Sequence, residues 1–77
     1  MLCSFCESFI GGIETGLQNE EKDIEAYANK LCDALTKGNA LLDPICKGLL
    51  DKELESIIDW LNNNEKPHDV CVKLHLC

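Results

Sequence analysis

The stretch His68-Asp69-Val70-Cys71-Val72-Lys73-Leu74-His75-Leu76-Cys77 holds two of the six cysteines and both histidines of the chain. Everything upstream has to be tied to that end. At the other end, Cys3-Ser4-Phe5-Cys6 places two thiols three residues apart, on one face if the segment is helical. The two ends can therefore be buttoned together. Cys32 and Cys46 flank a turn marked by Gly38 and suit a clamp across a helical hairpin. Six cysteines allow 15 pairings. If the termini lie antiparallel, Cys3 pairs with Cys77, Cys6 with Cys71 and Cys32 with Cys46, and no bridge crosses another.

Seventy-seven residues are expected to form one domain, 1–77. A core of that size contributes only about 3–5 kcal/mol before a staple is added, and the bridges are the expected staple. Such cysteine usage points to an oxidising setting: the secretory pathway, with a granule, lysosome-like or phagosomal lumen, or secretion, as destination. Met1 and Leu2 run into the first cysteine with no apolar leader segment, so the chain reads as a mature form. No apolar run approaches the roughly 18 residues of a bilayer-spanning helix. Fourteen acids against seven lysines give a net charge of -7 at pH 7. That balance argues against nucleic acid as a partner, and against anionic lipid at neutral pH.

Leu2, Phe5, Phe9, Ile13 and Leu17 recur at helical spacing and predict an amphipathic helix over residues 2–18. Gly11, Gly12 and Gly16 weaken it, which implies close packing, a bend or mobility. Asn19 is read as the start of a second helix, carrying Ile24, Tyr27, Ala28, Leu31 and Leu35 and ending at Lys37-Gly38. A third helix, about 40–50, starts at Asn39 or at Asp43-Pro44; Leu54, Ile57, Ile58 and Leu61 mark a fourth, after a kink or a smooth run-on at Asp51. Asn62-Asn63-Asn64 ends it and Pro67 opens a short fifth. The fold class is all-α.

These features together, with Cys-x-x-Cys at the start, a central pair around a hairpin and a last pair six apart, resemble the saposin-like family over essentially the whole chain. The ending Cys71-Val72-Lys73-Leu74-His75-Leu76-Cys77 is most similar to its amoebapore branch. The resemblance implies a five-helix, leaf-like fold stapled by the nested bridges Cys3–Cys77, Cys6–Cys71 and Cys32–Cys46. It also implies action on membranes or lipids, often in acidic compartments. Lytic members are commonly richer in lysine or arginine, whereas this chain has twice as many acids as bases.

No serine, histidine or thiol stands in a recognisable catalytic motif, so no enzyme and no cofactor are expected. Cys3, Cys6, His68, Cys71, His75 and Cys77 would make a zinc set if reduced, but their separations are not those of a common zinc module; an even cysteine count favours disulfides and no metal. Trp60, at the edge of an apolar stripe, is either core or an anchor at a headgroup layer. Lys22, Lys30 and Lys37 would form a basic strip on helix 2 facing lipid, or a solvated face. Asp51, Glu55 and Asp59 are successive i, i+4 acids whose repulsion acid relieves. With His75 they form the expected pH switch.

The reading is a non-enzymatic effector that binds anionic phospholipid membranes at acidic pH and perturbs them, as a homodimer or higher oligomer. Fusion or aggregation ranks above pore formation because cations are scarce. A saposin-type lipid carrier or hydrolase activator, and an antimicrobial pore-forming peptide, are the alternatives.

Overall fold

The computed structural model describes residues 2–77 and contains four helices: α1 (Leu2–Gln18), α2 (Ile24–Thr36), α3 (Leu42–Asn62) and α4 (Pro67–Lys73). The molecule is a flattened body of 31 × 25 × 18 Å. In it α1 packs along both α2 and α4, α3 packs along α2, and α3 touches α1 and α4 only lightly. The core is Phe5, Phe9, Ile10 and Ile13 of α1 against Ala28, Leu49, Leu50, Ile57, Leu61 and Val70.

Four helices replace the expected five because α3 runs without a break through Asp51. Its apolar positions keep helical spacing on both sides of that residue, and nothing there removes a backbone donor. The start of α3 belongs to Asn39, whose Oδ1 accepts from the backbone N–H of Leu41 and Leu42 at 2.9 and 3.0 Å. The Asn39 carbonyl also accepts from Asp43 N–H at 2.9 Å. Asp43 instead accepts from the buried Thr36 hydroxyl at 3.3 Å, joining the end of α2 to the start of α3.

Asn19 does not begin α2; that role falls to Asp23, which accepts from Ala26 N–H at 3.1 Å. The reason lies in how α1 stops. Glu20 adopts a left-handed conformation (φ 57°), so that Glu21 N–H reaches Gly16 O and Glu20 N–H reaches Leu17 O. The same closure recurs at α3, with Asn64 left-handed and Glu65 N–H on Trp60 O. It recurs at α4, with His75 left-handed (φ 63°) and Leu76 N–H on Cys71 O. At the end of α2 both Lys37 (φ 44°) and Gly38 (φ 79°) are left-handed, and the chain reverses into Asn39.

Three bridges staple this frame. Cys3 is bonded to Cys77, Cys6 to Cys71 and Cys32 to Cys46. The first two fasten α1 to the C-terminal segment, and the third fastens α2 to α3. Cys6, Cys71, Cys32 and Cys46 are fully buried, whereas Cys77 is exposed and Cys3 is half-buried.

Candidate functional site

α3 carries Asp51, Glu55 and Asp59 along one exposed line, as their four-residue spacing requires. Asp51 and Glu55 stand on the rim of a groove of about 540 Å³ between the start of α2 and the middle of α3. Its floor is Ile24, Leu50, Leu54 and Ile58; Glu25 adds a third acid to the rim, and Lys52 and Ser56 complete the lining. The arrangement is an apolar trough bordered by three carboxylates and one lysine. Ionised, the rim keeps the trough hydrated; neutralised, it leaves a surface suited to an apolar chain or an interface. Asp59 lies outside this groove, one turn further along α3.

Trp60 is half-buried and packed against the core, with Lys73 Nζ 5.0 Å from its ring centroid. Lys73 also donates to Glu65 Oε2 at 2.6 Å. The indole is thus engaged on its core side and on its face.

The basic strip expected on α2 is not built. Asp23 caps the helix after Lys22 and Lys37 is the left-handed residue that ends it, so only Lys30 stands on the helix proper. The angular argument that grouped the three lysines holds only inside one continuous helix. Lys37 lies at the α2–α3 turn, Lys30 at the middle of α2 and Lys22 just before its start.

His75 is exposed, and its backbone closes α4. His68 meets Glu7 across the α1–α4 contact, with Nδ1 2.6 Å from Oε2. That pair was not anticipated. The signal was present once the termini are joined, because Glu7 follows Cys6 and His68 lies one helical turn before Cys71. Cys3, Glu7, His68 and Cys77 place their donor atoms within 4.8 Å of one another. The two sulfurs are bonded to each other, so only Glu7 and His68 keep donors free. Cys6 and Cys71 of the sequence-level zinc set are likewise bonded, on the buried side.

The α2–α3 turn is a second feature that sequence reading passed over. Leu41 is 66% exposed and Leu35 is 37% exposed, two of the large apolar side chains most open to solvent. Lys47 of α3 reaches back to Asn29 and Asp33 of α2, at 2.5 and 3.0 Å, beside the Cys32–Cys46 bridge. No helix among the described residues is long and apolar enough to cross a membrane.

Residues 44–77 match the family model for saposin-like type B, region 2. Over its full length the chain is 23% identical to the non-pathogenic pore-forming peptide amoebapore A of Entamoeba histolytica, covering 77% of that protein. It is 24% identical to the pore-forming peptide amoebapore B of the same species, covering 78% of it. No solved structure gives a significant match.

Proposed function

We propose, for a saposin-like chain similar to the amoebapores, a non-enzymatic role in binding anionic phospholipid membranes at acidic pH and perturbing them, with membrane fusion or aggregation ahead of pore formation. The observation that carries this reading is the acid-rimmed apolar groove on α3, where Asp51 and Glu55 border Leu50, Leu54 and Ile58. At neutral pH the net charge of -7 repels an anionic surface. As the pH approaches the sequence pI of about 4.5, that net repulsion disappears. Amphipathic helices freed from one another then lie in the interface rather than across it, since none is long and apolar enough to span.

A compartment of the secretory pathway, such as an acidic granule or phagosomal lumen, supplies both the oxidising setting of the bridges and the low pH. His75 takes part in acid-triggered self-association in this scheme, and Lys30 and Lys37 supply lipid contacts.

Pore formation is the second reading, and the names of both relatives favour it. Vesicles reporting content leakage and lipid mixing in one sample separate the two. Fusion predicts lipid mixing with little leakage, whereas a pore gives leakage from vesicles that never exchange lipid. Extraction of lipid with neither signal would replace both with a carrier role.

A further inference from the structure

We propose that the α2–α3 turn, from Leu35 to Leu41, is the part of the molecule that enters an anionic phospholipid surface first; this rests on the membrane reading above and names its point of entry. Charge is unevenly distributed along the chain. Residues 26–50 hold three lysines against two acids, whereas the remaining residues hold four lysines against twelve acids. Both acids of the first group are engaged, Asp33 with Lys47 and Asp43 with the Thr36 hydroxyl. Lys30 and Lys37 are exposed, and neither has an ion-pair partner among the described residues. The turn end is therefore the least acidic part of the chain among the described residues, and its lysines are what an anionic surface meets there.

The same end carries exposed apolar surface. Leu41 is open to solvent to 66% and Leu35 to 37%. Ala34 and Ala40 beside them are exposed too. Leu2 and Val72, the other exposed large apolar side chains among the described residues, lie in the acid-rich remainder.

Entering a lipid interface is costly for backbone amides without partners. Here four of those amides are already occupied. Asn39 Oδ1 holds Leu41 and Leu42 N–H, Asn39 N–H reaches Thr36 O, and Lys37 N–H reaches Asp33 O. Below the turn, the Cys32–Cys46 bridge and the Lys47 contacts to Asn29 and Asp33 hold α2 against α3. The tip is preorganised, so little order has to be bought on docking.

The test uses the full oxidised chain at a pH near 4.5 with phosphatidylserine–phosphatidylcholine vesicles and, separately, pure phosphatidylcholine. Trp60 is the one tryptophan of the chain, so Leu41→Trp in a Trp60→Phe background reports on the tip alone. We expect its emission to shift to the blue and to become shielded from an aqueous quencher on the anionic vesicles. Cosedimentation provides the second measurement. Lys30→Glu with Lys37→Glu should lower binding by about tenfold or more. Lys22→Glu with Lys66→Glu, the same formal change away from the turn and the groove, should alter it by less than about twofold by the same local-charge argument. Wild-type binding with a solvent-exposed reporter, or equal losses from the two charge pairs, overturns the tip while leaving the membrane reading standing. Failure of the wild type to bind any vesicle removes both.

Discussion

The ring of Tyr27 lies against Gly16 so closely that a Cβ on Gly16 would stand 2.6 Å from Tyr27 Cε2. The α1–α2 packing thus depends on a missing side chain. Ile24 Cδ1 is also within 3.1 Å of that point, and Gly16 itself is buried, so both side chains would have to give way. Gly16→Ala is expected to destabilise by about 1–3 kcal/mol, the usual range for overpacking, despite the better helix propensity of alanine. Gly11 and Gly48 are also helical, but a Cβ at either meets nothing within 4 Å. Gly11→Ala and Gly48→Ala should each stabilise by about 0.5–1 kcal/mol. Chemical denaturation of the three variants checks the contrast, and the account fails if Gly16→Ala is as stable as Gly11→Ala.

The bridges should differ in lability. Cys77 is exposed and Cys3 half-buried, whereas the other four cysteines are fully buried. Limited reduction followed by alkylation is expected to label Cys3 and Cys77 first, with Cys6–Cys71 still holding α1 to α4. Removing the inner clamp as Cys32→Ala with Cys46→Ala opens a loop of sequence separation 14. It should cost about 3 kcal/mol in the chain-entropy account. At roughly 4–8 °C per kcal/mol for a domain of this size, the melting temperature should fall by more than ten degrees or so. Early labelling of Cys32 or Cys46 would contradict this order.

How far these features were legible beforehand depends on their range in sequence. The apolar stripe Phe5, Phe9, Ile13 is local and repeats at the helical period, so α1 was readable to its last residue. The stop at Glu20 was not, because glutamate carries no signal for a left-handed residue; Asn19 with its following acids resembled a helix start instead. The acids of α3 were placed correctly as a line, yet the groove they border needs Ile24 and Glu25 from α2 and is a tertiary fact. The lysine strip failed for the converse reason. It assumed that Lys22 and Lys37 shared a helix whose ends lie between them. Exposure of Leu41 was hidden because its spacing from Leu42 and Ile45 resembles a core position.

His75 occupies the left-handed position that closes α4, which complicates its role as a switch. In its charged form an exposed imidazole can meet a partner's carboxylate. Replacing it with alanine would strain the backbone as well as remove the ring. His75→Asn keeps a residue tolerant of that conformation and so isolates the charge. Sedimentation at pH 5 and pH 7 should show acid-induced association in the wild type and a clear loss of it in His75→Asn. Identical behaviour of the two proteins at both values removes His75 from the mechanism.

The pH at which membranes are perturbed follows from charge. Charging both histidines leaves the chain well short of neutral, starting from -7, so histidine alone does not release the repulsion. Lipid mixing or leakage on anionic vesicles should instead rise steeply below about pH 5, where carboxylates as a class begin to protonate. Little activity is expected on zwitterionic lipid. Strong activity at pH 7 on anionic vesicles would sink the charge-neutralisation mechanism. Asp51→Asn, Glu55→Gln and Asp59→Asn together remove three negative charges and two like-charge i, i+4 contacts, each worth roughly 0.2–0.5 kcal/mol. The triple variant should be slightly more stable, and its threshold should move to higher pH. A control that removes the same charge elsewhere, at Glu20, Glu21 and Asp69, separates local from global effects, because those exposed acids do not line the groove. The α3 set should shift the threshold further, since Asp51 and Glu55 guard the apolar floor of Leu50, Leu54 and Ile58. Equal shifts from the two triples would mean that net charge alone sets the pH and that the groove takes no part.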